Sequence, residues 1–157
     1  MNAYLQQTKP TVCTPPIDVE NLKKASLEEV FQTCTDYLIT EFRLLRDNVA
    51  AQEFLKADML NTMGSSNSIA VEKEKMLQKM INELAKLIGT KDGAAFSTLV
   101  ISGLTLLTFS GQQQKVLFGI DLKTDEGWAG IETALANIFR GAYLYTKERQ
   151  AAELLLL

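Results

Sequence analysis

Histidine is absent from all 157 residues. Without it no Ser-His-Asp or Cys-His nucleophile can be assembled, and no His-ligated zinc, haem or non-haem iron site. Cysteine is almost as scarce. Cys13 and Cys34 are too few for a disulfide framework or a structural zinc site. Proline is confined to Pro10, Pro15 and Pro16. An excess of one charge is also missing: 16 basic residues meet 19 acidic ones, for a net charge of −3. No segment departs far from neutrality, which argues against electrostatic capture of nucleic acid or of an anionic membrane. Long hydrophobic runs are lacking too. The longest, Ala94 to Phe109, is interrupted by Ser97, Thr98, Ser102, Thr105 and Thr108, and it falls short of the ~20 apolar residues of a spanning helix. Met1 to Lys9 has neither the basic start nor the apolar stretch of a signal peptide. These absences suggest a chain that works in the cytoplasm or inside a particle, with no signal peptide and no transmembrane helix.

What is present is apolar content, 46% of the residues, in a length typical of one domain. The prolines remove backbone donors and bias their predecessors toward extended geometry, so residues 1–25 read as an extended arm ahead of a single helical domain, 26–157. Ser26-Leu27-Glu28-Glu29 matches a capping box. Leu27, Phe31, Cys34, Leu38, Phe42, Leu45 and Val49 follow at spacings of three and four, one apolar helical stripe. With no Gly or Pro from Ser26 to Met63, a helix is predicted over about 26–63, with a possible break near Asp47-Asn48. Gly64 to Ser68 reads as a connector. A second amphipathic helix, about 69–88, ends at Gly89, a natural C-cap. The two are predicted to form a long antiparallel hairpin.

Residues 94–109 are apolar on every face, which predicts a buried central helix. The same region is rich in β-branched residues, and Lys115 to Leu122 also resembles a strand, so the alternative is an α+β arrangement with a β-hairpin at about 98–122. Trp128, Ile131, Leu135, Ile138, Phe139 and Ala142 mark a long C-terminal helix, about 125–153. The expected fold class is therefore an all-α helical bundle.

No catalytic set emerges. Glu28-Glu29 and Asp125-Glu126 occupy first-turn positions, where acids favour the helix dipole. The glycines do not have the spacing of a phosphate-binding loop, and Asp58, Asn61 and Asn67 do not form an EF-hand. No cofactor, metal or nucleic acid is expected, and membrane contact is disfavoured. Cys34 reads as a small buried hydrophobe. The candidate partner-binding residues are Pro10, Pro15 and Pro16 in the arm, the single Trp128, Tyr143 and Tyr145, and the closing run Leu154, Leu155, Leu156 and Leu157. Four leucines in succession cannot all face one core. They pack either into their own subunit or onto a neighbour. The expected function is a non-enzymatic assembly protein acting through protein–protein contacts, in a homo-oligomer or larger particle. A small helical regulator of one partner is the alternative, and a membrane-active bundle the third reading.

Overall fold

The computed structural model of the chain describes residues 14–60 and 68–156. The chain is an all-α helical bundle carrying one small β-hairpin. Its elements are α1 (Val19–Leu22), α2 (Leu27–Arg46), α3 (Val49–Leu60), α4 (Ser68–Ile88), α5 (Gly93–Gln112), β1 (Val116–Leu117), β2 (Ile120–Asp121) and α6 (Asp125–Leu155). Pro10, Cys13, Leu157 and most of the connector expected at 64–68 lie outside the described residues.

Several helix boundaries have a local cause. Ser26 caps α2 in the full reciprocal box: Ser26 Oγ accepts from the Glu29 N–H at 3.2 Å, and Glu29 Oε2 accepts from the Ser26 N–H at 2.7 Å. The bond from the Ser26 backbone N–H, with a smaller contribution from the Ser26 hydroxyl, holds the Glu29 carboxyl below its ordinary range. The stripe predicted over 26–63 divides at Asp47-Asn48. There Asn48 Oδ1 accepts from the Ala51 N–H, opening α3, and buried Gln52 donates to the Leu45 and Arg46 carbonyls, closing α2. Gly89 ends α4 with φ at 76°, and Thr90 N–H folds back onto the Ala85 carbonyl. Thr124 caps α6 by accepting from the Gly127 N–H. Within the stretch expected as an extended arm, α1 forms a helical turn and Val19 is buried.

Contacts along the helices fix their directions. Arg43 near the end of α2 pairs with Glu132 near the start of α6, while Phe31 near the start of α2 meets Tyr143 edge-on. Phe96 at the start of α5 packs on Phe139 of α6, whereas Trp128 lies beside Gly111 at its far end. Both α2 and α5 therefore run antiparallel to α6. The backbone of α2 approaches α6 and α5 most closely, and that of α4 approaches α5. α2 and α4 instead face each other across an apolar cavity.

Two expectations are corrected in detail. The segment 94–109 is helical, as part of α5, but it is not buried all round. Leu104, Thr108 and Ser110 turn inward, while Leu99 and Leu106 remain 76% and 64% exposed. The hairpin is much shorter than 98–122. It pairs Val116 with Asp121 and Leu117 with Ile120 across Phe118-Gly119, both with positive φ as a two-residue hairpin turn requires. The proposed turn at 110–114 is the end of α5, continued by Gln113 and by Gln114 at φ 57°.

Threonines inside the helices carry their hydroxyls on their own backbone. Thr35, Thr98, Thr105, Thr108 and Thr146 each donate to the carbonyl four residues earlier at 2.8 Å.

Two glycines of α6 make a matched test. A Cβ at Gly127 would collide with the Asp121 carbonyl, whereas one at Gly130 would meet nothing. Gly127→Ala should destabilise the fold by about 1–3 kcal/mol, and Gly130→Ala should stabilise it by about 0.5–1 kcal/mol through helix propensity. Thermal denaturation should show melting temperatures moving in opposite directions.

Candidate functional site

Among the described residues, an apolar cavity between the helices could admit a ligand. It measures about 320 Å³. Ile17, Phe31, Cys34, Tyr37 and Leu38 form one wall. Leu77, Met80, Ile81, Leu84 and Ile88 of α4 form the opposite one, and Phe96, Ile101, Phe139 and Ala142 close the remainder. Apart from Ile17, which precedes α1, all come from helices. A sealed void of this volume would cost about 8 kcal/mol at roughly 24 cal/mol per Å³, close to the whole net stability of a domain. The space is partly open, which lowers that cost, but the walls offer water few partners.

Polar groups gather at one end: Thr90, Asp92, Tyr145, Thr146 and Arg149. Arg149 crosses from α6 to the end of α4, where its terminal nitrogen donates to the Gly89 carbonyl at 2.5 Å, and Gln150 beside it donates to the Ile88 carbonyl. The Arg149 Nε–H is buried without an acceptor. Such a group is normally satisfied in a folded protein. A buried acceptor, Gln52 Oε1, is likewise unpaired at the α2–α3 junction. The sequence offers no signal for Arg149, which reads there only as a cation near the far end of the helix, suited to its dipole.

The opposite end of the bundle is filled. Trp128 is 6% exposed. Its Nε1–H donates to the Leu122 carbonyl at 3.0 Å, and the Arg46 guanidinium lies 5.6 Å from its ring centroid. It is a core residue rather than an exposed anchor. Beside it, Arg43 grips Glu132 through two bonds, 2.6 and 2.5 Å, which hold the Glu132 carboxyl below its ordinary range. Arg43 is more than half exposed to solvent, so this pair contributes little to stability.

The other candidate residues divide as follows. Tyr143 is half-buried against Phe31, and Lys147 lies over its ring at 5.8 Å. Tyr145 is largely exposed. Pro15 and Pro16 are exposed ahead of α1. Leu154, Leu155 and Leu156 project from the last turn of α6, past the contacts of Arg149 and Gln150, and Leu155 is 88% exposed. They bury little surface against the described residues of their own subunit. The exposed apolar set also includes Phe118, fully exposed at the hairpin tip with φ at 51°. That position was missed because a lone Phe before Gly does not reveal which way it points. Among the described residues, no three His, Cys, Asp or Glu side chains converge as a metal site.

Cys34 provides a direct probe of the cavity. Burial pushes its thiol from the ordinary 9.0 up to about 11. In a Cys13→Ser chain at pH 8, Cys34 should react with iodoacetamide roughly 100-fold more slowly than in the guanidinium-unfolded chain. The sign for stability follows. The thiol's contribution is complete below pH 9 and is lost as pH rises through about 11, because the unfolded chain releases its proton first. Comparison with known proteins finds no matching family model, no matching curated protein and no matching solved structure.

Proposed function

We propose that this protein is a non-enzymatic assembly subunit that acts through protein–protein contacts, pairing with a second copy of itself along the outer face of α5. The observation that carries this reading is the exposure of Leu99 and Leu106 on a helix with no charged residue between Asp92 and Lys115. Monomeric proteins rarely leave large apolar patches uncovered. Gly103 lies open between the two leucines, near the middle of α5. A two-fold contact centred there would set each copy's leucines beside the other's glycine, with no like charges opposed. The exposed end of α6, Leu154 to Leu156, supports a further contact that extends the assembly.

Sedimentation equilibrium of the full chain tests this. The expected result is a dimer or larger species that becomes monomeric on Leu99→Glu with Leu106→Glu, at unchanged helical content. Removal of residues 154–157 should weaken association further. A monomer at every concentration, or a mass that the α5 substitutions leave unchanged, would overturn the reading.

One observation favours a second reading, a membrane-active bundle. Spanning twenty residues rather than ending at Phe109, α5 is long and apolar enough to cross a membrane, and little of it is buried in the bundle. Core helices can pass the same test of length and composition, so pairing in water is the primary proposal. Flotation with phosphatidylcholine vesicles separates the two: membrane activity requires vesicle binding that the α5 glutamates remove.

A further inference from the structure

We infer that the cavity between α2, α4, α5 and α6 is a binding site for a single-chain amphiphile with a carboxylate head. The chain would lie among Phe31, Leu38, Met80, Leu84 and Phe139, and the head would meet Arg149. Its volume of about 320 Å³ is within the range of small-molecule pockets. It is about twice the ~150 Å³ of an apolar cavity that accepts benzene, so it has room for roughly a dozen carbon atoms.

The head group follows from Arg149. Its side chain lines the chamber and its guanidinium is fixed by the bond to the Gly89 carbonyl, while its Nε–H is buried without an acceptor. No carboxylate of a described residue pairs with it. A fixed guanidinium beside an apolar chamber, paired with none of these carboxylates, complements a carboxylate head. Asp92 lines the same end and is exposed. That acid opposes heads with more than one negative charge and so favours a carboxylate over a phosphate monoester. The Thr146 hydroxyl is committed to the Ala142 carbonyl and does not compete for the head.

The interior site is separate from the outer face of α5, and calorimetry on the full chain distinguishes them. Sodium dodecanoate and dodecanol, both below their aggregation limits, are the two probes. The expected result is saturable one-to-one binding of dodecanoate. Arg149→Met should weaken it about tenfold or more, with little effect on dodecanol. Leu84→Trp, which fills the chamber, should remove both, while Leu99→Glu with Leu106→Glu should leave both intact. Dodecanoate should also slow alkylation of Cys34 in the Cys13→Ser chain, a readout that does not depend on the folding of a filled variant. No saturable binding, binding that persists in a folded Leu84→Trp chain, or binding lost with the α5 glutamates would overturn the site. Equal weakening of both probes by Arg149→Met would overturn the head assignment.

Discussion

Trp128 is fastened on several sides, and the bundle is organised around that point. Its indole N–H is taken by the Leu122 carbonyl, its face is covered by Arg46 of α2, and its edge rests on Gly111 of α5. Gly127, the residue before it, lies against the backbone of Asp121. One side chain therefore holds together α2, the end of α5, the hairpin and the start of α6. Arg43 and Glu132 close the outer rim of the same region. Away from that end, where Phe31 and Phe96 still meet α6, the chamber lies between α2 and α4. The fold is solid at one end and hollow at the other.

Much of this arrangement was legible in the residues. The Ser26 box, the Gly89 stop, the amphipathic stripes and the long helix beginning near Asp125 all appear where local chemistry puts them, because each depends on neighbours within a turn or two. The division at Asp47-Asn48 was visible only as a weak point, since the cause of the break, Gln52 reaching back to the Leu45 and Arg46 carbonyls, lies outside the stripe pattern. The exposure of α5 could not be read. A helix apolar on all sides has no preferred face, and burial is assigned to it only by default. The cavity was equally hidden, because Leu77, Met80 and Leu84 have the same spacing whether they touch a neighbouring helix or an open space. Trp128 illustrates a different limit. Its position on the stripe was clear, but a partner surface and a core position demand the same residue there.

Two apolar demands remain after the helices have packed. One is inside, along the walls of the chamber. The other is outside, along Leu99 and Leu106 and over the end of α6. They are physically independent, since the first needs something narrow with an anionic end and the second needs a broad surface without charge. Arg149 lies at the boundary between them. It fixes α6 to the end of α4 and faces the chamber, while the turn that carries Leu154 to Leu156 begins just beyond it.

The threonines of α5 bear on how that helix meets its surroundings. Thr98, Thr105 and Thr108 donate to carbonyls of their own helix, so these three hydroxyl protons already have an acceptor. By composition α5 is dotted with polar residues, yet the surface it presents is made mostly of methyl and methylene groups. Such a helix keeps the same internal bonding in water, against another protein or in a hydrocarbon phase. A change of medium therefore leaves these three threonines bonded as they are.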